Sequence, residues 1–327
     1  MKTVVMFSLV VVLGVAGGCS RGAASPASST PPAGTTITNC GRTVSVTTAP
    51  QRALTLEQNA TEILLSLGLS DRMIGTSYQT DPVLPELTAA YDAVPKLADL
   101  YPNREAVLQA RPDFVYSTFT SAYATDAAGP RAELADLKIP AYLSRFACED
   151  PTTGEKAVTF DGILAEITEI AGVFGVDGKG AEIVAAQRAR LDAVKGAGTD
   201  TTEVLWYYSG TTTPYVAGPN GLPAAISTHL GVRNTYGDAS QTWPAGNWEQ
   251  IAQRDPDVIV LADLTRGGDG DSAAAKAEFL RTNPVTAQLD AVRNNRLVTV
   301  SGSSMDPSIR SVTAVEQVAT ALKEFGK

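Results

Sequence analysis

Histidine is almost missing from this chain: 327 residues include one, His229. A lone imidazole excludes a zinc or manganese site built on several histidines, and it leaves little material for acid–base catalysis. Positive charge is also scarce, with 26 Lys and Arg against 35 Asp and Glu and a formal net charge of −9. That balance argues against nucleic acid as a partner, because phosphate binding needs clustered basic side chains. No Gly-x-x-x-x-Gly-Lys-Ser/Thr loop is present, since Gly178-Lys179 is followed by Gly180 and lacks the earlier glycine. No Gly-x-Ser-x-Gly elbow occurs, and Asp263, Asp269 and Asp271 do not have EF-hand spacing. His229 reads as an ordinary helix-surface or core residue.

What is present begins with an export signal. Met1-Lys2 and the apolar run Val4 to Val15 form the n- and h-regions of a signal peptide, and the run is short for a membrane span. Ala16-Gly17-Gly18-Cys19 resembles the lipobox of bacterial lipoproteins, although Ala16 stands where that family prefers a larger aliphatic residue. The resemblance implies cleavage before Cys19 and its lipidation, palmitate included; an ordinary secretory signal or an uncleaved anchor is the alternative. Residues 1–18 are then the signal and 19–36, rich in Ser, Ala, Pro, Gly and Thr, a flexible tether. Three cysteines less Cys19 leave Cys40 and Cys148, which an exported protein is expected to pair as a disulfide. Two buried thiols are the alternative.

Beyond the tether, strand-like runs alternate with helical patterns. Arg52–Leu56, Met73–Gly75, Asp113–Ser117, Ala141–Leu143, Glu203–Tyr208, Asp257–Leu261 and Arg296–Val300 read as strands. Asn59 and Glu62 are spaced like a capping box ahead of Ile63, Leu64 and Leu67. Ile163, Ile167, Ile170 and Phe174 lie on one helical face, and a second helical stretch runs from Ala181 towards Val194. The expected fold is α/β: two Rossmann-like lobes with mainly parallel sheets, residues 37–155 and 199–327, joined by a long helical connector at 156–198.

The two halves repeat. Residues 103–115 and 247–259 each carry Asn, Glu two positions on, then Pro-Asp leading into a strand, at a constant offset of 144. Leu67-Gly68 and Leu230-Gly231 close comparable helices upstream, and the first half holds an insertion around Tyr78 to Lys96. With Asn103 and Asn247 as N-caps, Glu105 and Glu249 fall in the first helical turn, where a carboxylate favours the helix dipole by roughly 0.3–1 kcal/mol.

With these motifs in order, the chain resembles the periplasmic binding proteins of iron–siderophore, haem and cobalamin ABC importers. The residues carrying the likeness are Arg52–Leu56, Leu67-Gly68, Val94-Pro95-Lys96-Leu97, Asn103-Arg104-Glu105 and Pro112-Asp113 in the first half. In the second they are Pro214-Tyr215-Val216-Ala217-Gly218, Leu230-Gly231, Asn247-Trp248-Glu249 and Pro256-Asp257. Each motif is short, and their order over about residues 38 to 325 carries the specificity. The resemblance implies the class III periplasmic-binding-protein fold and a cleft between the lobes. It further implies a lipoprotein on the outer face of the cell membrane, no catalysis and no cofactor. One glutamate per lobe, Glu105 and Glu249, is expected to dock on arginines of a dimeric permease.

Ligand contacts are expected just beyond the carboxyl ends of the strands. The candidates are Tyr78, Phe119, Tyr123, Arg145, Tyr208, Trp243, Arg266 and Arg310. Aromatic faces suit a bulky chelate, and guanidinium groups suit carboxylate, hydroxamate or catecholate oxygens. Trp206 is expected in the core, and Arg310 has capping of the last helix as its other role. A ferric siderophore is the expected ligand, with haem or cobalamin as the alternative. An exported enzyme and a non-transport envelope or signalling lipoprotein are rivals from other classes.

Overall fold

A computed structural model describes Met1, residues 33–150 and residues 152–327. The signal segment, Cys19 and the tether through residue 32 lie outside the described residues. No helix among the described residues is long and apolar enough to cross a membrane.

The first strands, β1 (Ala33–Asn39) and β2 (Arg42–Thr48), form an antiparallel hairpin, so the stretch read as tether ends in ordered strand from Ala33. Cys40 and Gly41 both take positive φ between them, the conformation a two-residue type I′ turn requires. Cys40 is bonded to Cys148, with their Cα atoms 5.2 Å apart. The disulfide ties the hairpin to the far end of the first lobe.

That lobe is a parallel sheet of β3 (Ala53–Thr55), β4 (Met73–Ser77), β5 (Lys96–Ala98), β6 (Phe114–Ser117) and β7 (Ala141–Leu143), in the order β5-β4-β3-β6-β7. Its helices are α1 (Gln58–Ser66), α2 (Thr88–Asp92), α3 (Arg104–Ala110) and α4 (Arg131–Asp136). The connector is a pair of helices, α5 (Phe160–Val173) and α6 (Asp177–Val194). The second sheet contains β8 (Glu203–Ser209), β9 (Tyr215–Val216), β10 (Arg233–Asn234), β11 (Val258–Asp263) and β12 (Leu297–Ser301). Its parallel order is β10-β8-β11-β12, with β9 antiparallel on β8. Around it lie α7 (Leu222–Leu230), α8 (Trp248–Arg254), α9 (Ala273–Thr282), α10 (Asp290–Arg293) and α11 (Ser311–Phe325).

The sequence repeat is a structural repeat. Helices α3 and α8 start 144 residues apart, as do β6 and β11. Asn103 and Asn247 cap their helices through the amides of Ala106 and Gln250. The aspartate of each Pro-Asp pair pins the neighbouring strand. Asp113 accepts from the amides of Gln51 and Arg52 ahead of β3, and Asp257 accepts from that of Glu203 opening β8.

Two expectations about helix ends shift. The cap of α1 is Glu57, whose carboxylate accepts from the Asn59 and Ala60 amides, so Asn59 lies inside the helix instead of capping it. The break between the connector helices is confined to residues 174–176, and Gly178 and Gly180 are helical. Gly180 is there for close approach: a Cβ on it would meet the Ala171 Cβ at 2.4 Å, so the two helices cross where one has no side chain.

Both faces of each sheet are buried, as parallel sheets require. In β6, Phe114 and Tyr116 face one core and Val115 the other; in β8, Val204 and Trp206 are set against Leu205 and Tyr207 in the same way. The outer faces pack in separate clusters, one per lobe. The inner faces share one: Ile63 and Leu64 connect through Ile163, Ile167, Ile170 and Phe174 of α5 to Val204, Trp206 and Val315. One apolar core therefore passes through both lobes.

Candidate functional site

In each sheet the chain runs outward from a central strand and then returns to its other side, from β3 to β4 and back to β6, and from β8 to β10 and back to β11. Such reversals open a crevice beyond the strands' carboxyl ends, where open α/β sheets bind ligands. Glu57 follows β3, Tyr78 follows β4 and Phe119 lies two residues beyond β6. Tyr208 is the penultimate residue of β8, Thr265 and Arg266 follow β11, and Gly302 to Asp306 follow β12. These loops face one another and enclose three adjoining cavities of about 350, 210 and 170 Å³, all lined by Phe119 and Asp306. The largest of the three lies within the range of small-molecule sites. A larger cavity, 720 Å³, lies against β2 at the opposite, amino-terminal ends of β6 and β7, beside Pro112 and Pro140. It has no aromatic lining and is not where this fold converges its loops.

Aromatic rings from both lobes wall the cleft. Tyr78 and Tyr101 lie with ring centroids 4.6 Å apart on one side, and Tyr208 and Trp243 lie 5.1 Å apart on the other, with Phe119 between. Tyr78 has φ of +50°, a left-handed conformation that bulky residues avoid at a cost of roughly 1–2 kcal/mol. The surrounding fold holds that ring at the cavity wall despite the strain.

The floor is acidic. The Glu57 carboxylate is buried and accepts three amides, from Asn59, Ala60 and Thr118. Burial pushes its pKa up, while those amides pull it down. Asp306 stands nearby, and burial together with the negative charge of Glu57 raises its pKa from 3.8 to about 7. Burial likewise pushes the phenols of Tyr101 and Tyr208 up to about 12. Asn59 Oδ1 and Ser303 Oγ line the same cavity, are buried, and have no hydrogen-bond partner among the described residues.

Five of the eight expected ligand residues line this cleft: Tyr78, Phe119, Tyr208, Trp243 and Arg266. The other three do not. Tyr123 is buried in the outer core of the first lobe, where its hydroxyl donates to the carbonyls of Val115 and Tyr142. The Arg145 guanidinium is held by Glu155 at 3.2 Å and Glu169 at 3.3 Å, with Glu166 at 3.9 Å. Arg310 is buried and donates to Glu62 of α1, to the Pro82 carbonyl at 2.7 Å and to Ser301 Oγ at 3.3 Å. It bridges the lobes instead of facing a ligand.

Arg266 is also engaged. It pairs with Asp271 at 2.9 Å and lies over the Tyr208 ring at 5.4 Å. The loop carrying both is fastened by the buried Lys276, which donates to the carbonyls of Ala262 and Asp271. Burial lowers the Lys276 pKa to about 8.

Sequence reasoning missed Glu57, Asn59, Tyr101, Ser303 and Asp306. The same rule that found the others, residues just past a strand, would have reached Glu57 and Asp306. The insertion read at Tyr78 to Lys96 supplies the bridge between lobes. Thr80 accepts from Thr265 through its carbonyl, Asp81 accepts from the Ser303 amide at 2.7 Å, and Pro82 accepts from Arg310. His229 bonds the Leu191 carbonyl at 2.9 Å and meets Phe160 edge-on, away from the cleft. Trp206 is buried and donates to Ser227 Oγ at 2.9 Å, a core residue as expected. Among the described residues no group of three or more His, Cys, Asp and Glu is placed to hold a metal ion. Glu105 and Glu249 are exposed in the first turns of α3 and α8.

A two-lobed α/β body with an aromatic-walled crevice between its loops has the architecture of a ligand carrier. The chain belongs to the periplasmic binding protein family, whose model matches residues 54–302. It is similar to the vitamin B12-binding protein of Vibrio campbellii, 27% identical over 274 residues that cover 82% of this chain and 88% of that one. The cobalamin-binding protein of Halobacterium salinarum is 25% identical over 283 residues, covering 83% and 71%. Among solved structures, a periplasmic binding protein from Veillonella parvula superposes with a TM-score of 0.76 at 26% identity, covering 88% of this chain and 97% of that one. An ABC-type Fe3+-hydroxamate transport system protein from Saccharomonospora viridis shares the fold, with a TM-score of 0.73 at 24% identity and coverage of 88% and 98%. These are binding proteins, not enzymes, and the molecule in the cleft is cargo, not a cofactor.

Proposed function

We propose that this protein captures a metal chelate in the interlobe cleft and hands it to an ABC permease, with a ferric siderophore as the cargo. The observation that carries the reading is the pair of aromatic walls, Tyr78 with Tyr101 and Tyr208 with Trp243, one from each lobe, facing a crevice of small-molecule size. Flat rings suit the rigid apolar body of a wrapped metal. A corrinoid is the second reading, favoured by the relatives named for vitamin B12. Export and anchoring through a lipidated Cys19 belong to the same proposal, since a tethered carrier remains near its permease. So does docking by Glu105 and Glu249, which stand exposed at matching places in the two lobes.

The test has two arms. Purified protein is titrated with ferric siderophores, haemin and cyanocobalamin while tryptophan emission is followed. Cells carrying Glu105→Ala with Glu249→Ala are assayed for uptake of the chelate that binds. Full affinity with abolished uptake is expected; unchanged uptake refutes the docking role, and no binding by any chelate refutes the cargo.

A further inference from the structure

The charged groups on the floor of the cleft are acidic, Glu57 and Asp306, and this bears on which chelate it carries. The three arginines that could have met carboxylate or catecholate oxygens each have carboxylate partners. Arg145 is held among Glu155, Glu166 and Glu169, Arg310 against Glu62, and Arg266 against Asp271. Lys156 stands exposed at the rim of the 170 Å³ cavity. The floor of the two larger cavities carries Asp306 and, in one of them, Glu57.

Two further groups point the same way without belonging to that acidic pair. Asn59 Oδ1 and Ser303 Oγ are more than nine-tenths buried, line the cavity beside Glu57 and Asp306, and have no partner among the described residues. A buried polar group without a partner is destabilising, and a ligand N–H satisfies either oxygen. The described hydrogen bonds to Glu57 come from backbone amides of its own lobe, and none of the described hydrogen bonds ends on the Asp306 carboxylate.

Building on the chelate reading above, we infer that the cargo is a neutral or cationic chelate that turns a hydrogen-bond donor, a protonated amine or an amide N–H, onto Glu57, Asn59, Ser303 and Asp306. The aromatic walls take the chelate body, and the floor reads its charge. A polyanionic chelate is disfavoured twice, by repulsion from the two carboxylates and because Arg266, the arginine that lines the cleft, is already paired with Asp271.

The experiment compares four probes on the same purified protein by tryptophan quenching at pH 8, above the point at which Asp306 gives up its proton. They are ferric desferrioxamine B, a monocation with a pendant ammonium; cyanocobalamin, neutral and rich in primary amides; ferric enterobactin, a trianion; and haemin, with its two propionates. One of the first two should bind tightest. The Asp306→Asn substitution, close to isosteric, should weaken that binding about 10- to 100-fold, the loss expected for a hydrogen bond to a charged group. If ferric enterobactin or haemin binds as tightly as the better of the first two, the charge inference fails while the chelate reading stands. Unchanged affinity in Asp306→Asn also overturns the inference. If none of the four binds, the chelate reading falls and the inference with it.

Discussion

Arg310→Ala should loosen the junction between the lobes far more than an ordinary surface substitution. Glu62 is completely buried in α1, and its carboxylate accepts from Arg310, from Gln58 Nε2 at 3.2 Å and from the Leu84 amide at 3.2 Å. Truncating Arg310 leaves that carboxylate with two neutral donors in a dry setting, and it strands the Pro82 carbonyl as well. Breaking one side of a buried ion pair costs about 3–5 kcal/mol, mostly as the desolvation of the charge left behind. At roughly 2 °C per kcal/mol for a body of this size, the midpoint should fall by about 6–10 °C. Urea unfolding and calorimetry on wild type, Arg310→Ala, Glu62→Gln and the double variant complete a cycle. The double variant should lose much less than the sum of the singles, because neither partner then strands the other. Additive losses under about 1 kcal/mol each would falsify the account of Arg310 as an interlobe pin.

Other predictions concern the cleft and the hairpin. Asp306 keeps its proton to about pH 7 in the folded protein but loses it near pH 4 when unfolded, so its contribution falls as pH rises across that window. Glu57, raised in the same direction, faces it along with Tyr101, Tyr208 and Arg266 and keeps its own share of the slope. Asp306→Asn should therefore gain on wild type as pH rises from about 4 to about 7, by up to about 4 kcal/mol in denaturant titrations; a relative loss contradicts the burial argument. Reducing Cys40–Cys148, which closes a separation of 108 residues, should destabilise the first lobe by up to about 4.7 kcal/mol. Unchanged urea midpoints with and without reductant would count against that. Trp206 and Trp248 are buried and bonded to Ser227 and Thr211, whereas Trp243 lines the cleft. Trp243→Phe should remove most ligand-induced quenching, and full quenching in that variant would place the ligand elsewhere.

Much of the frame was readable from local signals. The 144-residue repeat announced α3, β6, α8 and β11 because caps, Pro-Asp pins and strand starts are fixed by neighbours in sequence. The aromatic wall followed from the rule about strand ends. Where the arginines would stand was not legible for a physical reason: a guanidinium's surroundings depend on which carboxylate neutralises it. For Arg310 that partner is 248 residues away, and for Arg145 it is spread over three glutamates around the start of the connector. Glu57 gave no sequence signal as a buried acid, because one of its three amide donors, Thr118, comes from across the sheet. The short strands β5, β9 and β10, two or three residues each, are too brief to show a period.

The apolar core shared by both lobes bears on how the ligand can be found. Lobes fused through Ile163, Ile167, Ile170 and Phe174 should melt together in one cooperative step, so whatever is gained in the cleft loops is felt by the whole body. A ligand at a hundredfold excess over its dissociation constant adds about 2.7 kcal/mol to the folded state. In a protein with independently melting lobes, part of that gain would be hidden beneath the transition of the lobe that unfolds first. Here the entire melting curve should move, and a simple thermal-shift screen becomes a direct reading of occupancy.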